Sequence, residues 1–157
     1  MPLYFAYGSN MSSKQMMVRC PGAQPAGQAK LEDYCFRIAT HGGATIVRKR
    51  GCRVYGVLWQ CTTQHLAILD RYEGVRVGAY FRRYVTVQRP ENTRIHALTY
   101  LGSRTYPGTG RANYMLTAVL PGAVTHGLPA HYIDELRSWL PAMAIGEKRR
   151  RYRGRKR

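Results

Sequence analysis

The chain has 157 residues, 45% of them hydrophobic, which fits one globular domain of ordinary size and excludes an intrinsically disordered chain. No apolar run approaches the roughly 20 residues that span a bilayer, and no basic segment followed by an apolar one marks a signal peptide, so a cytoplasmic protein is expected. Lys and Arg number 25 against 8 Asp and Glu, a net charge of +17, so an acidic substrate, nucleic acid or an anionic surface would feel a strong field.

Leu3 to Tyr7 is a short apolar run ended by Gly8, consistent with a buried first strand. Ser12 or Ser13 is placed to cap a short helix through KQMMVRC, which Pro21 stops. PGAQPAGQA, residues 21–29, reads as a loop by its Pro and Gly content. Strands are expected at about 29–39, 44–49 and 53–60. TTQHLAILDRYEG then reads as a helix capped by Thr62 or Thr63, with Leu66, Leu69 and Tyr72 on one face and Gly74 at its C-terminal end. A strand from Tyr80 to Val87, a turn at RPENT and a strand over about 94–101 follow. After Gly110 the pattern is helical. Pro121-Gly122 predicts a break in it, and Pro129 suits the first position of a last helix, AHYIDELRSWL. Strands dominate and short helices punctuate them, which predicts an α+β fold and not a doubly wound sheet.

The chain closes on EKRRRYRGRKR, residues 147–157, with eight basic residues and one acidic residue. It has no apolar stripe, so a disordered tail after a domain spanning 1–146 is expected. The 17 basic and seven acidic residues outside the tail leave the body basic too. Cys20, Cys35, Cys52 and Cys61 form no C-x-x-C pair, and the histidines complete no zinc pattern, so buried, reduced thiols are expected.

Two places carry candidate chemistry. In LYFAYGSNM a strand runs straight into Gly8-Ser9-Asn10, where a glycine lets backbone approach a ligand and several amides can converge near a helix start. The Ser9 and Asn10 side chains can add donors, although the same residues also make an ordinary turn. Glu73, beside a helix-ending Gly at the negative end of the helix dipole, is locally disfavoured, and that setting raises a carboxyl pKa as a general acid/base requires. Its plain alternative is an exposed helix-terminal Glu. No P-loop, dinucleotide fingerprint, G-x-S-x-G or H-E-x-x-H is present.

YFAYGSNM at 4–11, LDRYEGVRVGAY at 69–80 and GLPAHYIDEL at 127–136, in this order and spacing, resemble the γ-glutamylcyclotransferase family. The resemblance covers roughly residues 3–140 and leaves out the tail. It implies a small, mostly antiparallel, barrel-like sheet with flanking short helices. It also implies that Tyr4, Phe5, Ala6, Tyr7, Gly8, Ser9 and Asn10 form a loop whose amides hold a glutamyl moiety. Glu73 falls on the family's catalytic glutamate. Tyr80 and Tyr100 fall on substrate-site tyrosines, and Tyr114 on one that closes on the substrate. The implied reaction releases 5-oxoproline from a γ-glutamyl compound and needs neither metal nor cofactor. The Gly-Ser-Asn form of the loop leans towards γ-glutamyl amino acids. Some family members are homodimers, and nothing in the sequence marks a dimer face. The basic tail, foreign to the family pattern, can bind nucleic acid or an anionic surface. That leaves a second reading open: a basic binding protein on a scaffold that has lost catalysis.

Overall fold

The sheet closes on itself, which buries its inward-facing side chains. The computed structural model describes residues 2–40, 42–102 and 112–140. Five strands, β1 (Leu3–Ala6), β2 (Gln24–Ile38), β3 (Ala44–Gln60), β4 (Tyr80–Gln88) and β5 (Arg94–Gly102), form a barrel in the order β1-β3-β2-β4-β5. All pairings are antiparallel except the closure, where Tyr4 lies parallel beside Leu98. The closure is narrow: β2 meets β4 at Lys30 and Gln88, and β1 meets β5 at Tyr4 and Leu98. The α+β class and the mostly antiparallel barrel are as expected. Phe5, Val57, Leu58 and Leu98 belong to the buried core, together with Leu69, Met115, Val119 and Leu136 from the helical segments.

The helices are α1 (Ser13–Arg19), α2 (Thr63–Tyr72), α3 (Ala112–Tyr114), α4 (Leu120–Thr125) and α5 (Ala130–Arg137). Ser12 caps α1 by accepting from the Gln15 amide, and the chain leaves the helix just before Pro21. Thr62 caps α2 reciprocally: its hydroxyl accepts from the His65 amide, and its own amide donates to His65 Nδ1. Such a box satisfies two of the helix's orphan donors. Gly74 follows with φ of 63°, the left-handed conformation that favours glycine after a helix. Leu66 and Leu69 are buried as expected, but Tyr72, at the last turn, is 55% exposed.

Several expectations are corrected. Residues 24–29 are not loop: they open β2, and Pro25 and Gly27 sit at an irregularity in its pairing with β3. Pro and Gly mark a bulge here, where a missing N–H and a positive φ are both accommodated. The strands expected at 44–49 and 53–60 are one strand of 17 residues. Gly51 adopts a positive φ between them and donates its amide to Asp33 Oδ1, opposite a second register shift. The cysteines are not all reduced: Cys35 and Cys52 are joined in a disulfide across this hairpin, while Cys20 and Cys61 are free and buried. Spacing alone hides that pair, because it depends on how β2 and β3 register.

Pro121-Gly122 does not break the helix. The chain stays helical from α3 through a π-helical stretch, Met115–Val119, into α4, with Pro121 near the start of α4. The wider π turn accommodates a residue that cannot donate. Gly122 is there for contact: a Cβ on it would lie 2.6 Å from the Met11 carbonyl carbon. Pro129 caps α5 one position before its first residue instead of opening it. The basic tail lies outside the described residues, as does Gly110. No helix among the described residues is long and apolar enough to cross a membrane.

Candidate active site

One end of the barrel carries a cleft of about 190 Å³ lined by Tyr4, Tyr7, Gly8, Ser9, Asn10, Arg19, Gly43, Ala44, Tyr72, Glu73, Tyr80, Tyr100 and Tyr114. Segments far apart in sequence build it, with Tyr100 added from β5 and Tyr114 from α3. β1 ends at Ala6 and turns through a single 3-10 turn, Ser9–Met11, into α1. The β2–β3 hairpin brings Gly43 and Ala44. The α2–β4 connection brings Glu73.

Short polar contacts hold the Gly-Ser-Asn turn in place. Gln15 Nε2 donates to Ser9 Oγ at 2.6 Å and to Asn10 Oδ1 at 2.9 Å, and Arg19 Nη1 donates to Asn10 Oδ1 at 3.1 Å. Asn10 Nδ2 donates to the Tyr4 hydroxyl at 3.0 Å. The Asn10 side chain, 3% exposed, is therefore a strut of the loop. Two backbone amides, those of Ser9 and Ala44, converge on one point. Both donate to the Tyr114 hydroxyl oxygen, at 3.2 and 3.3 Å. Gly8 is required by proximity, since a Cβ there would stand 3.0 Å from both the Tyr114 hydroxyl and the Ala44 Cβ.

Glu73 ends α2, donating its amide to Leu69 O at 2.8 Å, and its side chain turns into the cleft. Burial raises its carboxyl pKa to about 7, and Arg19 opposes the rise. Among the described residues no hydrogen bond reaches that carboxyl. The phenols of Tyr4, Tyr7, Tyr80, Tyr100 and Tyr114 are raised, so these five stay protonated near neutrality. For Tyr4 and Tyr80 the main cause is burial, followed by the nearby Glu73 charge. Tyr7 is raised first by burial, then by Tyr80 and Glu73. Tyr114 is raised by burial, against the two amides it accepts from.

The remaining tyrosine contacts are structural. Tyr80 Oη donates to Ala44 O at 2.7 Å, fixing the hairpin against β4. Tyr7 Oη donates to Tyr100 O. Tyr100 Oη donates to Asp70 Oδ1 at 2.7 Å, and Asp70 also receives Arg82 through two bonds of 2.7 Å. The Tyr100 hydroxyl thus ties α2 to β4 and β5.

Of the residues expected at the site, Tyr4, Tyr7, Gly8, Ser9, Asn10, Glu73, Tyr80, Tyr100 and Tyr114 line the cleft. Phe5 and Ala6 do not: both are buried in β1, and Phe5 closes on Gly56 across the barrel. Alternation along β1 puts Phe5 opposite Tyr4. Sequence reading missed Arg19, Gly43, Ala44 and Tyr72. Gly42-Gly43 was a legible turn signal, but only the barrel shows which pocket it meets. Among the described residues no group of three His, Cys, Asp or Glu is placed to hold a metal ion.

The model of the AIG2-like family matches residues 53–136. γ-Glutamylcyclotransferase of Bos taurus is 33% identical over 149 residues, an alignment covering 88% of this chain and 79% of the relative. The Homo sapiens γ-glutamylcyclotransferase is 32% identical over the same length and shares. A solved γ-glutamyl cyclotransferase structure superposes with a TM-score of 0.81 at 32% identity, covering 87% of this chain and 86% of the other. The chain belongs to the AIG2-like, γ-glutamylcyclotransferase family.

Proposed function

We propose that the protein is a γ-glutamyl cyclotransferase in which Glu73 moves a proton between two nitrogens of one substrate. The observation that carries this is a single half-buried carboxyl, raised to about 7, in a cleft of protonated phenols and converging amides. The α-amine of a γ-glutamyl amide attacks its own γ-carbonyl carbon. A ring C–N bond forms, the original amide C–N bond breaks, and the products are 5-oxoproline and an amine or amino acid. The attacking nitrogen must lose a proton and the departing one must gain one. A carboxylate with pKa near neutrality can accept the first and return it to the second, an effect worth roughly 10²–10⁴-fold. Holding amine and carbonyl together supplies more, roughly 7–11 kcal/mol in well-oriented cases.

The other groups fit the charge that develops. The Tyr114 oxygen already accepts from the Ser9 and Ala44 amides, so its own O–H is directed outward as a donor for the carbonyl oxygen or the glutamyl carboxylate. Phenols that keep their protons add no competing charge to the cleft.

The test is turnover of a γ-glutamyl amino acid in ¹⁸O-labelled water. Cyclisation predicts unlabelled 5-oxoproline and no turnover of the same compound acetylated on its α-amine. Labelled glutamate would show hydrolysis and sink the reading.

A further inference from the structure

The β2–β3 hairpin is interrupted away from the cleft by a basic bulge. Glu32 pairs with Arg53 and Tyr34 with Arg48, so residues 49–52 stand opposite Asp33 alone. Arg48, Lys49, Arg50 and Arg53 are all exposed there. The bulge is folded back onto β2. Strand register places Cys35 beside Val47, yet its sulfur is bonded to Cys52 of the bulge. The Gly51 amide adds one hydrogen bond to Asp33 Oδ1 at 3.0 Å.

The disulfide opens onto a cavity of about 600 Å³ between this hairpin and α5, with Arg37, Lys49 and Arg53 in its wall against the single acid Glu135. Cys35 is buried and Cys52 half-buried, so Cys52 is the more accessible sulfur. Arg37 lies two residues along β2 from Cys35, hence on the same face of the strand. Arg53 faces Glu32 at 3.7 Å, and Arg37 Nη1 donates to Phe36 O at 2.8 Å. Lys49 makes no hydrogen bond or ion pair among the described residues, so its ammonium is the cation left for a ligand. A disulfide in a basic cavity favours attack by an anion. The cations concentrate a negatively charged thiol, and they stabilise the thiolate that departs. A purely structural disulfide gains nothing from either effect.

We propose that this cavity is a thiol–disulfide exchange site for a small anionic thiol, whose carboxylate or sulfonate group Lys49 binds. The thiolate attacks Cys52 Sγ. A bond forms between the two sulfurs, the Cys35–Cys52 bond breaks, and the electron pair departs on Cys35 Sγ, on the strand face that carries Arg37. That thiolate then takes a proton from water. A second molecule of the thiol attacks the sulfur of the first and releases Cys52 as its thiolate, which is protonated in turn. Two thiols are thereby oxidised to one small disulfide, and the protein disulfide is reduced to two thiols. Reduction frees the basic bulge from β2. The site stands apart from the cleft, and its chemistry does not depend on the cyclotransferase reading.

The test is the rate at which 2-mercaptoethanesulfonate and neutral 2-mercaptoethanol reduce the full chain, read by alkylation and peptide mapping of Cys35 and Cys52 and expressed per thiolate. The sulfonate is expected to react faster by about tenfold or more, the lower end of electrostatic focusing in a charged cleft. Lys49→Gln should remove most of that advantage, and Lys49→Arg should keep it. Arg94→Gln, the same loss of charge at an exposed position on β5, should leave it in place. The mercaptoethanol rate should hold in every variant, which separates anion binding from a disturbed fold. With the oxidised sulfonate reagent, Cys35→Ser should take up an adduct on Cys52 faster than Cys52→Ser takes one up on Cys35. Equal rates for the two thiols in the wild type would overturn the assignment. So would an advantage that survives Lys49→Gln or falls as far in Arg94→Gln, faster uptake on Cys35, or free thiols at Cys35 and Cys52 in protein purified without reductant.

Discussion

At the scale of single residues, Glu73 combines two requirements that oppose each other. On the proposed reaction it must be buried enough to hold a proton near neutrality, yet open enough to meet two nitrogens. Its raised pKa has a visible consequence for catalysis. The free-enzyme kcat/KM should rise with pH through about 7 as the carboxylate forms, and a pH–rate profile flat between pH 5 and 9 would contradict this. The consequence for stability has the opposite sense. The folded carboxyl titrates at about 7 against 4.5 for the free group, so the folded state holds a proton that the unfolded chain releases. The resulting stability is complete at low pH and is lost as pH rises through about 7. Glu73→Gln escapes that loss, so it should melt above wild type at pH 8 by up to about 3 kcal/mol, the free-energy equivalent of the shift. The two melting curves should converge at pH 4. Glu73 was legible in sequence because a carboxyl beside a helix-ending glycine breaks a local electrostatic preference. Arg19 was not, since an arginine in the last turn of a helix obeys that preference and draws no notice.

At the scale of elements, the β1–α1 turn and the hairpin meet at Gly8. A Cβ there would stand 3.0 Å from the Ala44 Cβ and from the Tyr114 hydroxyl, on which the Ser9 and Ala44 amides converge. Gly8→Val should therefore weaken substrate binding, raising KM by about tenfold or more (about 1.4 kcal/mol) while the circular dichroism spectrum stays near wild type. An unchanged KM would reduce the loop to a turn. The helix caps at Ser12 and Thr62 and the strands β1, β4 and β5 were legible, because each follows from local capping or an apolar run. The errors came where a local signal had a tertiary cause. Pro25 and Gly27 mark a bulge and not a loop. Gly122 marks contact with the Met11 backbone and not a helix end. The link between Cys35 and Cys52 depends on strand register, which composition does not carry.

At the scale of the whole molecule, a closed barrel explains how so short a chain holds a cleft built from several distant segments. The cleft sits where the β1–α1 turn, the hairpin and the α2–β4 connection converge, so one displaced element disturbs the others. The basic tail lies outside the described residues. Deleting residues 148–157 is predicted to leave turnover within a factor of a few while weakening attraction to nucleic acid or anionic vesicles and flattening its salt dependence. A large fall in turnover would tie the tail to the cleft. The central claim, that one carboxyl carries the proton traffic of an intramolecular ring closure, is tested most directly by mass-spectrometric measurement of 5-oxoproline released from a γ-glutamyl amino acid by wild type and Glu73→Gln side by side. The account predicts that wild type forms 5-oxoproline and that Glu73→Gln, folded, is slower by roughly 10²-fold or more. A Glu73→Gln rate close to wild type would contradict it.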